Sequence, residues 1–149
     1  MSVTQKTYDS SLVLKAAGLI AASAAVATIV DLGDCPCHAD VVIDVTALEI
    51  ASNDELYDIV IQGSPDSDFG TAGNIIDLAS LTLGAKEVMR SSSDRDSVIG
   101  RYLLGLRNEA DLAGVVTTFR YVRLYTVVAG TVATGINYSA YIAKQQPGA

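Results

Sequence analysis

The sequence predicts an all-β chain, an antiparallel β-sandwich of about eight strands in a jelly-roll arrangement. Three observations carry this. Runs of β-branched and aromatic residues recur, with turn signals every ten to fifteen residues or roughly so. Within the longest runs the side chains alternate with period two, as in Leu56-Tyr57-Asp58-Ile59-Val60-Ile61-Gln62. Helical periodicity is confined to two short stretches, 87–93 and 108–113, both read as connections.

Taken in order, residues 1–10 form a polar N-terminal arm that includes Ser2, Thr4, Gln5, Lys6, Asp9 and Ser10 and cannot fill a core. Arms of this composition order when they meet a partner, so Gln5, Lys6 and Tyr8 are expected to contact a neighbouring subunit or binding partner. Residues 11–149 are read as one β-sandwich domain, long enough to bury a core without disulfide or metal. Strands are expected at 11–17, 25–32, 40–50, 55–62, 75–83, 98–107, 117–128 and 134–143.

Residues 16–30, AAGLIAASAAVATIV, are uncharged but too short for a membrane helix, which needs about 20 residues. A signal peptide is the rival reading. The long stretch before the run contains Asp9, however, and Val26-Ala27-Thr28-Ile29-Val30 is rich in β-branched residues, which favours a buried strand. Gly33-Asp34-Cys35-Pro36 ends the second strand, and Ser52-Asn53-Asp54 separates the third from the fourth. Gly63-Ser64-Pro65-Asp66 closes the fourth, because proline cannot donate to a ladder. Ala129-Gly130 and Thr134-Gly135 frame the last hairpin. Phe119, Tyr121, Arg123 and Tyr125 share one strand face, with Arg120, Val122, Leu124 and Thr126 on the other.

Composition narrows the function. Of 149 residues, ten are Lys or Arg and 17 are Asp or Glu, a net charge of −7. Such a chain is a poor direct partner for nucleic acid, which needs clustered cations. Two cysteines make no disulfide framework, and a single histidine, His38, excludes any mechanism that needs two imidazoles. Cys35-Pro36-Cys37-His38 offers soft ligands, but a closed zinc shell needs four, with two residues between paired cysteines. These residues are read as a turn. Asp66-Ser67-Asp68-Phe69-Gly70 resembles part of a calcium loop but has Gly70 at the fifth position and Asp77 at the twelfth, so it too is read as a turn. Ser91-Ser92-Ser93-Asp94-Arg95-Asp96 reads as a polar loop. There is no Gly-x-Ser-x-Gly elbow, no phosphate-cradling glycine loop and no tryptophan. The expectation is therefore a protein that is not an enzyme, with no catalytic residues, no cofactor and no metal. Arg101, Arg107, Arg120 and Arg123 lie C-terminal to an Asp-rich stretch over residues 31–77. This asymmetry suits docking between subunits, or simply solvated strand faces.

Several phrases, in order, carry a family resemblance: Thr28-Ile29-Val30-Asp31-Leu32-Gly33; Leu56-Tyr57-Asp58-Ile59-Val60-Ile61-Gln62-Gly63-Ser64; Asp66-Ser67-Asp68-Phe69; Arg120-Tyr121-Val122-Arg123-Leu124-Tyr125; Thr131-Val132-Ala133-Thr134-Gly135; and Tyr138-Ser139-Ala140-Tyr141-Ile142. Over residues 25–143 the set resembles the capsid cement (decoration) proteins of tailed double-stranded DNA bacteriophages, of the Bordetella phage cement protein type. The Cys-Pro-Cys-His turn and the Ala-rich residues 16–25 are not features of that family. The resemblance implies a β-sandwich that is made in the host cytoplasm and binds the outer surface of the capsid. Its partners would be the major capsid protein and other copies of itself, as a dimer or trimer, with no direct nucleic acid and no membrane. It implies a structural role, stabilising the DNA-filled head. Two other expectations stand beside it: a host-attachment or carbohydrate-binding β-sandwich on a virion or cell surface, and a secreted protein with residues 1–25 as its signal.

Overall fold

A computed structural model describes residues 6–89 and 95–145. The chain begins with β1 (Lys6–Thr7) and a 3-10 turn at Ser10–Leu12, whose first turn is capped by the Asp9 carboxylate accepting from the Ser11 amide at 2.9 Å. Four short strands follow: β2 (Val13–Lys15), β3 (Leu19–Ile20), β4 (Ala24–Ala25) and β5 (Val30–Asp31). The long strands are β6 (His38–Leu48), β7 (Leu56–Ser64), β8 (Ile76–Gly84) and β9 (Gly100–Arg107). A small hairpin, β10 (Glu109–Leu112) and β11 (Val115–Thr118), precedes β12 (Tyr121–Ala129) and β13 (Ile136–Gln145).

All pairings are antiparallel, and apart from the separate β10–β11 hairpin they fall into two main sheets. Sheet one runs β13-β6-β9, with β1, β2 and β3 set one after another along the outer edge of β13. Sheet two runs β12-β7-β8, with β4 and β5 along the outer edge of β12. With each row of short strands counted as one position, the order is N-terminal edge-β13-β6-β9 over N-terminal edge-β12-β7-β8. It is compatible with a jelly roll, and the class is an antiparallel sandwich.

The core lies between the sheets because period-two alternation gives each long strand one apolar face. Val41, Ile43 and Val45 of β6 and Tyr138, Ala140 and Ile142 of β13 meet Tyr57, Ile59 and Ile61 of β7 and Val122 and Leu124 of β12. The inner face of β12 is therefore the Val122, Leu124, Thr126 face, and Tyr121, Arg123 and Tyr125 look outward. The two layers are joined by a buried polar contact: the Thr126 and Tyr138 hydroxyls lie 2.7 Å apart. Burial pushes the Tyr138 phenol up to about 12, so it stays neutral and is able to share that bond.

Several sequence expectations are corrected. Residues 16–30 are not a buried strand. Most are exposed, and the segment is a strap that traces the rim and pairs briefly at β3, β4 and β5. Between those contacts it is held by the Val26 amide on the Leu124 carbonyl at 2.9 Å and by Ser23, whose Oγ accepts from the Val128 amide at 2.8 Å. Small alanines let the backbone lie close to the sheet edges without filling the core. Residues 108–113 are not helical. They contribute β10, because Ala113 and Gly114, at φ 53° and 84°, form a two-residue reversal into β11. At the other helical expectation, residues 86–88 form a hydrogen-bonded turn and residues 90–93 lie outside the described residues. The expected strand at 117–128 is divided, with β11 ending at Thr118 and β12 starting at Tyr121.

Candidate interaction surface

The residues singled out by sequence fall into different places. Gln5 lies outside the described residues. Lys6 begins β1, opposite Gln145 of β13, so sheet one starts within the segment that reads as an arm. Tyr8 is well exposed, with its ring edge-on to Tyr141 at 5.1 Å between centroids.

The Cys35–His38 turn is organised by a residue the sequence did not flag, Asn108, which is completely buried. Its Oδ1 accepts from the Cys37 amide at 2.6 Å, and its Nδ2 donates to the Cys35 and Phe119 carbonyls at 3.3 and 3.2 Å. Its own amide and carbonyl bond to the Cys37 carbonyl and the Phe119 amide. One side chain thus staples the turn to the base of the small hairpin. Desolvation pushes the Cys37 thiol up, away from the thiolate. His38 is mostly exposed, with Nε2 3.9 Å from Glu109. Among the described residues no three His, Cys, Asp or Glu side chains converge as a metal shell would require.

In the Asp66–Gly70 turn, Asp66 accepts from Asn74 at 3.3 Å and Asp68 accepts from the Gly70 amide at 2.9 Å, so the carboxylates satisfy local donors. Phe69 is buried beneath the Arg123 guanidinium, 4.3 Å from the ring centroid. Three further arginines are also engaged within the chain. Arg120 grips Asp31 through two 2.8 Å bonds, which lower the Asp31 carboxyl and raise the guanidinium. Arg101 holds Asp44 at 2.7 and 3.0 Å. Arg107 reaches Glu109 at 3.4 Å. These four arginines therefore serve contacts within the chain, and large hydrophobic side chains are left exposed.

Apart from Tyr8, Leu19 and Val88, the exposed large hydrophobic side chains among the described residues fall in two parts. The β10–β11 hairpin carries Val115 at 64% exposure and Val116 at 72%, on opposite faces of the ribbon. The second part is the β9 rim, where Val98, Ile99 and Leu103 are exposed. The Tyr102 hydroxyl donates to the Val98 carbonyl and pins the approach to this strand. Along β9, Tyr102, Leu104 and Leu106 turn inward, leaving Arg101, Leu103, Gly105 and Arg107 outward. The one available signal for the hairpin was Gly114 between two β-compatible runs, which was outweighed by the helix-forming Glu109-Ala110-Asp111-Leu112-Ala113.

No protein-family model matches the chain, and no curated protein matches it.

Proposed function

We propose that the protein is a structural binding module that decorates the outside of a phage capsid lattice, stabilising the DNA-filled head through contacts with the major capsid protein. The observation that carries this reading is the β10–β11 hairpin, with Val115 and Val116 exposed on opposite faces of a two-stranded ribbon. A ribbon of this kind is marginal alone and gains by being covered, and exposed apolar tips of this sort mark protein contacts. The rest of the molecule suits a clamp, with an apolar core between two sheets and Arg101, Arg107 and Arg120 paired with carboxylates of the same chain. A net charge of −7 keeps copies soluble before assembly and disfavours loss to free DNA. The sequence resemblance to cement proteins supplies the identity of the lattice, and Gln5, Lys6 and Tyr8 are proposed as further contacts to it.

The test is recovery on particles. In purified DNA-filled phage heads the protein should appear in a fixed, high ratio to the major capsid protein. Val115→Ser with Val116→Ser should lower that ratio at least tenfold while the free protein stays folded. Absence of the wild-type protein from heads overturns the proposal, as does undiminished recovery of the double variant.

A further inference from the structure

We infer that the free edge of β9 is a self-association site, at which two copies pair antiparallel about a two-fold axis and join their first sheets into one continuous sheet. Among the described residues β9 is bonded along one edge only, to β6, through eight consecutive register pairs without a bulge. Folded proteins ordinarily blunt an edge of this length with proline, lysine, a bulge or a covering segment. The strand GRYLLGLR has no proline and no lysine. Its two arginines are engaged within the chain: Arg101 is drawn back onto β6 by the bidentate bond to Asp44, and Arg107 reaches Glu109 at 3.4 Å. The edge of sheet two is treated differently: β8 carries a register shift opposite Ile61–Gln62 and exposes Asp77, Ser80 and Thr82.

The occupant is a second copy because the strand is self-complementary in one register. With Leu103 opposite Leu103 of the partner subunit, Arg101 lies opposite Gly105 of the partner subunit, and Ile99 lies opposite Arg107 of the partner subunit. No like charges then face each other, and Arg101 keeps its bond to Asp44 of its own chain. The neighbouring register that sets Arg101 against Arg107 is penalised by like charge.

The outer face of sheet one supports the same junction. Tyr8 packs on Tyr141, Tyr141 pairs with Val42, and Val42 pairs with Leu103, so an apolar row crosses the sheet and ends at the open edge. Val42 is fully buried under this row, whereas Leu103 at its end is 56% exposed. Pairing at Leu103 continues the row into the second copy, covering the exposed end with its own counterpart, as an isologous interface requires.

Sedimentation equilibrium of the full chain should give a mass near twice 15.5 kDa at about 100 µM, a hundredfold above a micromolar Kd. Leu103→Lys, an exposed position on an edge, should sediment as a monomer with unchanged circular dichroism, and its melting should match the wild type at protein concentrations well below the Kd. In a Cys35→Ser, Cys37→Ser background, Leu103→Cys should cross-link under mild oxidation to a covalent dimer, and Val115→Cys should not. A wild-type monomer at that concentration overturns the inference. So does a dimer that survives Leu103→Lys, or cross-linking through position 115 in preference to 103. These measurements are made in free solution, so their failure and a failure of binding to phage heads are separate results.

Discussion

The two rims of the sandwich are built on opposite plans. At one rim the N-terminal strap lies along both sheets in turn, β1, β2 and β3 on β13 and then β4 and β5 on β12. This rim is anchored from inside. Leu14 is fully buried, and the Lys15 ammonium donates to the Ala16, Gly18 and Tyr138 carbonyls at 2.8–2.9 Å while resting on the Tyr138 ring. At the other rim, among the described residues, β8 and β9 end their sheets without a further strand, the first polar and bulged, the second regular and apolar. The difference teaches where this fold keeps its stability and where it leaves backbone uncovered. Closing one pair of edges secures the monomer, and of the other pair only β9 leaves a regular edge with exposed apolar side chains.

Substitutions that distinguish the rims can break this contrast. The largest effect is expected at the closed rim: Leu14→Ala should cost about 2–5 kcal/mol in urea unfolding, since it opens a cavity in the core cluster. Leu103→Ala, at the open rim, should cost no more than about 0.5 kcal/mol when unfolding is followed at concentrations where the chain is a monomer. Similar costs at both positions would remove the distinction.

Next comes Asn108→Ala, expected to cost about 1–3 kcal/mol per donor or acceptor left unpaired inside, because the Cys37 amide and the Phe119 carbonyl both lose their partner. By contrast, Cys35→Ser with Cys37→Ser should cost at most about 1 kcal/mol, since the staple runs through backbone atoms of the turn and not through sulfur. If the cysteine pair costs more than Asn108, the turn is held by its thiols and not by the amide.

The smallest predicted effect is on pH dependence and sharpens the account of the closed rim. Glu49 accepts from the amides of Gly135, Thr134 and Ala133 at the turn into β13, and these bonds hold its carboxyl below the ordinary 4.5. A carboxyl lowered on folding adds stability above its unfolded pKa and loses it as pH falls through the folded pKa. Stability should thus decline below about pH 4.5, and Glu49→Gln should flatten that decline while leaving the alkaline side unchanged. An unchanged acid slope in the variant would show that the turn does not draw on this charge.

How much was legible beforehand differs by element. The long strands β6, β7, β8, β9, β12 and β13 were readable because alternation and turn residues agree over eight or more positions. At 16–30 composition misled. Alanine and valine suggest burial, yet hydrophobic character alone does not distinguish a core strand from a strap lying on a rim. At 108–113 local helix preference lost to Ala113-Gly114, whose left-handed backbone turns the chain back on itself. Of the candidate surface, Tyr8 was named from sequence, whereas Leu103, Val115 and Val116 were not. Nothing in a local sequence window marks which strand ends a sheet.

The sequence by itself determined the class, the inward faces of the long strands and most turns, because these depend on side-chain period and on backbone preferences within a few residues. Tertiary structure alone decided which strands became edges, which edges the N-terminal strap covered, and that Asn108 would join a turn to a hairpin base 71 residues away in sequence from Cys37. Edges and distant hydrogen bonds are settled by how strands compete for neighbours across the whole chain, and that competition leaves no mark on any one segment.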